Sequence, residues 1–120
     1  MIYDEFVKGI SKLDSSNKFI KSKVTNNPYN KFYDFYDPRG VEFEFNGGVV
    51  FMIPYDKIDK VTADYHILNA NYVFATCNGD QYFVKNGKVY TCCHGMKKPD
   101  LEFLAESFED FLKNVLKGDN

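Results

Sequence analysis

The sequence predicts an α+β domain, an antiparallel meander with N-terminal helices and a C-terminal helix packed on it. Three observations carry this. Asn-Gly pairs at 46–47, 78–79 and 86–87 separate short apolar runs, and loops that short make neighbouring strands antiparallel. Residues 2–13 repeat apolar side chains at helical spacing. Residues 107–117 do so again behind a serine placed to cap them. At 120 residues the chain fits a single domain, 1–120, able to bury about two-thirds of its unfolded surface.

Element by element, Ile2, Phe6, Ile10 and Leu13 form one face of a helix, although Gly9 inside it costs about 1 kcal/mol of propensity. Residues 14–17 are a polar break, and Phe19 to Val24 has apolar character without a period. Asn27-Pro28 predicts a helix start, because Asn caps free amides and Pro at the first position loses no bond. Tyr29, Phe32, Tyr33 and Tyr36 then share a helical face until the Asp37–Gly40 turn. Val41, Phe43 and Phe45 alternate with Glu42 and Glu44, the pattern of a half-buried strand.

After Asn46-Gly47-Gly48 the return run Val49–Ile53 is apolar almost throughout, which predicts a central strand covered on both faces. Pro54 to Lys60 reads as a short helical turn. Strands at 71–77, 81–85 and 88–93 complete the meander. Residues 101–115 fit one continuous helix, yet Leu101, Phe103 and Ala105 also alternate like a strand. Ser107 with Asp110 is a capping-box pattern, so an extended piece at 101–105 followed by a helix from Ser107 to Lys117, ended by Gly118, is favoured.

A net charge of -2 lacks the basic excess of nucleic-acid binders. The stretch from Asp100 to Asp110 holds five acids and no base, a mild acidic face suited to a basic partner. No stretch approaches transmembrane length, and the first residues do not read as a signal peptide. Three cysteines, an odd number, fit reduced thiols in the cytosol better than a disulfide framework.

Candidate chemistry is thin. Cys92-Cys93-His94 invites a zinc reading with Cys77 and His66, but adjacent strand residues face opposite ways. Cys92 and His94 share a strand face as a thiol dyad oriented by Asp80, at a spacing of roughly 7 Å that is long for a hydrogen bond. Glu42 and Glu44 read as solvated, and Gly47-Gly48 lacks the context of a phosphate loop. Phe108, Phe111 and Leu112 read as core.

The order of Phe74-Ala75, Gly79-Asp80, Gly87-Lys88-Val89-Tyr90, His94-Gly95 and Leu104 to Leu112 resembles the SUKH superfamily. That superfamily contains bacterial immunity proteins and fungal cell-wall-synthesis regulators. Upstream, Asn27-Pro28-Tyr29 with Phe32, Tyr36 and Gly40 is similar to its proline-started aromatic helix and glycine turn. The resemblance covers about residues 27–116 and is strongest over 72–112.

It implies an α+β domain that acts by binding a protein, without catalytic residues, metal or cofactor. Many bacterial members neutralise a toxin in the cytosol, and a regulatory module with a resident partner is the alternative. The expected partner-binding residues are Asp80, Asp100, Glu102, Glu106, Glu109 and Asp110, on a sheet edge and the C-terminal helix.

Overall fold

A computed structural model of the chain describes residues 2–65, 72–92 and 101–118. Helix α1 (Ile2–Leu13) turns Tyr3, Phe6 and Ile10 inward, as the spacing predicts. Gly9 has a packing reason: a Cβ there would lie 2.8 Å from Leu116 Cδ2, so glycine lets the two chain segments approach closely. Strand β1 (Lys18–Lys21) follows and pairs antiparallel with β2 (Tyr36–Arg39).

The aromatic helix expected after Asn27-Pro28 does not form. Its place is taken by a single 3₁₀ turn, Lys31–Asp34, after which the chain is extended. Local side-chain bonds compete with the helix: Asn27 Oδ1 accepts the Tyr29 amide at 2.8 Å, and Asn30 Oδ1 accepts the Phe32 amide at 2.9 Å. Pro38 disfavours helical backbone at Asp37, and pairing with β1 does the rest. The rings still cluster, because Phe32 and Tyr33 are fully buried and pack edge-to-face.

Among the described residues the main sheet has six antiparallel strands in sequence order: β3 (Glu42–Phe45), β4 (Gly48–Met52), β5 (Tyr72–Cys77), β6 (Asp80–Lys85), β7 (Lys88–Cys92) and β8 (Leu101–Ala105). At the three Asn-Gly loops both residues take positive φ, for example 52° and 76° at Asn46-Gly47. That is the turn whose twist matches an antiparallel hairpin. Strand β4 corrects one expectation. It lies beside the edge strand β3, and its outer face is open, with Val49 exposed and Phe51 only half-buried.

A 3₁₀ turn at Tyr55–Lys57 leads into α2 (Ile58–Tyr65), longer than the expected helical turn. Helix α3 (Phe108–Lys117) starts where Ser107 Oγ accepts the Asp110 amide, and it ends at Gly118 with φ of 69°. The extended reading of 101–105 therefore holds.

The core lies between the sheet and α1 with α3. Phe111 rings meet Phe45, Phe74 and Tyr82, while Phe6 meets Phe43. On the opposite face a second cluster of Val73, Phe83 and Cys92 packs with Val61 of α2 and with Tyr90. The strand pairing assigns each remaining residue to one of these two faces.

Candidate functional site

Among the described residues the six-stranded sheet ends at β3 on one side and β8 on the other, and the chain treats the two edges differently. In two-residue hairpins the pair flanking the loop is hydrogen-bonded, and bonded pairs then alternate with unbonded ones. With Phe45 opposite Gly48, the backbone groups of Glu42 and Glu44 point away from β4. Those of Glu42 are taken: Asn17 Nδ2 donates to its carbonyl at 2.9 Å, and its amide donates to Asn17 Oδ1 at 2.9 Å. Asn17 is itself buried and also donates to the Ile10 carbonyl at 3.1 Å. A single side chain thus occupies the position of a neighbouring strand.

At the other edge, Lys85 opposite Lys88 sets the alternation, so Val89 and Thr91 direct their backbone groups toward β8. Their partners there are Ala105 and Glu102, with Leu104 as the extra residue of a bulge. Leu101 and Phe103 therefore turn their amides and carbonyls outward. Their side chains lie on the face away from α1 and α3 and are exposed, 38% for Leu101 and 49% for Phe103. Phe103 caps a row of rings: it meets Tyr90 edge-on at 5.9 Å, and Tyr90 stacks on the buried Phe83 at 6.1 Å.

The expected acidic residues separate into groups. Glu102 and Glu106 are exposed on β8 and just past its end, and Lys88 Nζ lies 3.6 Å from Glu106. Asp80 joins Glu102 in a cleft of about 310 Å³ lined, among the described residues, by Asn46, Asn78, Tyr82 and Thr91. Burial raises the Tyr82 phenol pKa, and proximity to Cys77, Glu102 and Asp80 raises it further. Both carboxylates are thus within electrostatic reach of one hydroxyl.

Glu109 instead turns back to accept a hydrogen bond from Tyr3 on α1. Asp110, beside it in the first turn of α3, complements the helix dipole. Asp100 lies outside the described residues, as do Cys93, His94 and His66.

Cys92 is buried and its thiol donates to Gln81 Oε1 at 3.1 Å. Cys77 is buried beneath Gly48, where a Cβ would come within 2.6 Å of its sulfur. Among the described residues no three His, Cys, Asp or Glu side chains are grouped to hold a metal ion. No helix among them is long and apolar enough to cross a membrane. A groove of about 740 Å³ runs between the end of α1, the end of α3 and β3, with Leu13, Leu116 and Val49 on its lips.

The sequence pointed to the acids of β8 but not to its two apolar side chains. Their alternation was visible, but their exposure depends on which strand ends the sheet.

A sequence model of the SMI1 / KNR4 family (SUKH-1) matches residues 3–114, nearly the whole chain. The chain belongs to this family. The SUKH-1 match begins within α1 and ends within α3, so it takes in most of both core helices and all eight strands of the described residues. No curated protein and no solved structure matches the chain. The resemblance seen over 27–116 is thus confirmed and extended toward the N-terminus, and the family has the general character of an immunity or SMI1/KNR4-type domain.

Proposed function

We propose that this chain is a non-enzymatic, cytosolic immunity protein that neutralises a cognate toxin domain by binding it. The observation that carries this reading is the β8 edge. It combines outward backbone groups, two exposed apolar side chains and the carboxylates of Glu102 and Glu106, with Asp80 alongside. Exposed apolar area rimmed by charge is typical of a protein contact. The buried, hydrogen-bonded thiol of Cys92 supports binding over thiol catalysis, which needs an accessible, activated sulfur.

The test is co-expression with the product of the neighbouring gene. Protection of the cells and recovery of a complex are expected. An isolated gene with no toxin-like neighbour, or a neighbour whose toxicity is unrelieved, would transfer the domain to a regulatory role with a resident partner.

A further inference from the structure

The two sheet edges differ in one respect that bears on how a partner is held. At β3 the outward groups of Glu42 are bonded to Asn17, whereas at β8 no further strand lies beyond Leu101 and Phe103 among the described residues. Exposed edges with apolar side chains and unpaired backbone are templates for strand addition, and proteins normally blunt them. Among the described residues, the β3 edge is blunted at Glu42 and the β8 edge is not.

We propose that β8 binds its partner by strand addition, taking an extended segment in which apolar and basic residues alternate. This rests on the reading of the chain as a protein-binding domain and specifies its mode. A strand laid about 4.8 Å from β8 would bond the amides and carbonyls of Leu101 and Phe103. Residues opposite these two would place their side chains on the outer face, where Phe103 and Leu101 offer apolar contact. The residue opposite Glu102 would fall on the inner face, beside Glu102 and near Asp80 in their shared cleft. A lysine or arginine there meets two carboxylates.

Charge also argues against a second copy of this chain as the occupant. An antiparallel self-pair in which Leu101 faces Phe103 of the other copy sets Glu102 against Glu102, and like charges directly opposite destabilise a ladder.

The test uses the full isotope-labelled chain and two capped peptides, one alternating lysine with valine and one alternating glutamate with valine. Amide exchange is followed residue by residue. The lysine peptide is expected to slow exchange at Leu101 and Phe103 by about tenfold, and the glutamate peptide to leave both unchanged. Phe103→Pro removes an outward donor without removing a ladder bond, so it should abolish the protection while the rest of the sheet exchanges as before. Glu102→Lys, which leaves the backbone donors in place, should remove most of the preference for the lysine peptide, since only Asp80 then remains to oppose the new lysine.

Protection at Glu42 and Glu44 instead, or none at any amide, would overturn strand addition at β8. So would concentration-dependent protection without peptide, which assigns the edge to a second copy. A toxin domain that binds Phe103→Pro as tightly as the unmodified chain defeats this mode but leaves the immunity reading intact. Normal strand addition beside an unrelieved toxin does the reverse.

Discussion

The side chain of Asn17 holds both backbone groups of Glu42, with Nδ2 to the carbonyl and the amide to Oδ1 each at 2.9 Å. Its third bond, to the Ile10 carbonyl at 3.1 Å, ties the last turn of α1 to the same edge strand. One buried amide thus satisfies three backbone groups and closes half of the β3 edge.

Asn17→Ala should lower stability by about 2 kcal/mol, because these partners lose their bonds in a poorly hydrated site. It should also expose β3 to edge-to-edge pairing. Urea denaturation gives the first quantity, and sedimentation at rising concentration gives the second. Unchanged stability together with a monomer at every concentration would refute the edge-closing role.

Phe111 and Phe103 are both phenylalanines on the C-terminal segment, yet they should behave oppositely. Phe111 is fully buried among Phe45, Phe74 and Tyr82, so Phe111→Ala should cost about 3–5 kcal/mol. Phe103 is half exposed at the sheet edge, so Phe103→Ala should cost much less, about 1 kcal/mol or below, while weakening partner binding. Denaturant midpoints for the two variants compare them directly. Equal losses would mean that Phe103 is core and β8 is not an open surface.

The difference between those residues shows what the sequence could and could not reveal. Turn chemistry is local, so the Asn-Gly hairpins, the Ser107 cap and the Gly118 stop are legible from neighbouring residues alone. The stretch from Pro28 to Tyr36 misleads because ring spacing fits a helix. The Asn27 and Asn30 side chains bond the backbone first, and pairing with β1 then draws Tyr36 into a strand. Asn17 looked like part of a polar break, since its partner Glu42 is 25 residues away. The exposure of Leu101 and Phe103 was hidden for the same reason: which strand ends a sheet is a non-local fact.

The acidic residues should divide by function. Glu102→Lys and Glu106→Lys should change stability by less than about 0.5 kcal/mol, since both are exposed and the Lys88–Glu106 pair is a surface one. Both should weaken binding to the product of the neighbouring gene. Glu109→Gln should do the converse, costing about 1 kcal/mol through its charged hydrogen bond with Tyr3 while leaving affinity near unchanged. Calorimetric titration beside thermal melts separates the two effects. Should Glu109→Gln lower affinity and Glu106→Lys not, the contact lies on α3 and not at β8.

Alkaline pH should unfold the domain, and the sign follows from its tyrosines. Burial raises the phenol pKa of Tyr3, Tyr29, Tyr33, Tyr72 and Tyr82, and a hydrogen bond to Asp4 is the main cause at Tyr36. In the unfolded chain these phenols titrate near the ordinary value of about 10. A raised folded-state pKa means that the native protein keeps protons the unfolded chain releases. The stabilisation is therefore complete below about pH 10 and is lost as pH rises from there toward the folded values. Tyrosinate absorbance should appear for these residues together with the loss of near-ultraviolet circular dichroism, in one cooperative step. Smooth ionisation of all six around pH 10 with the dichroism intact would show that their hydroxyls are not held in the packed interior and the hydrogen bonds described here.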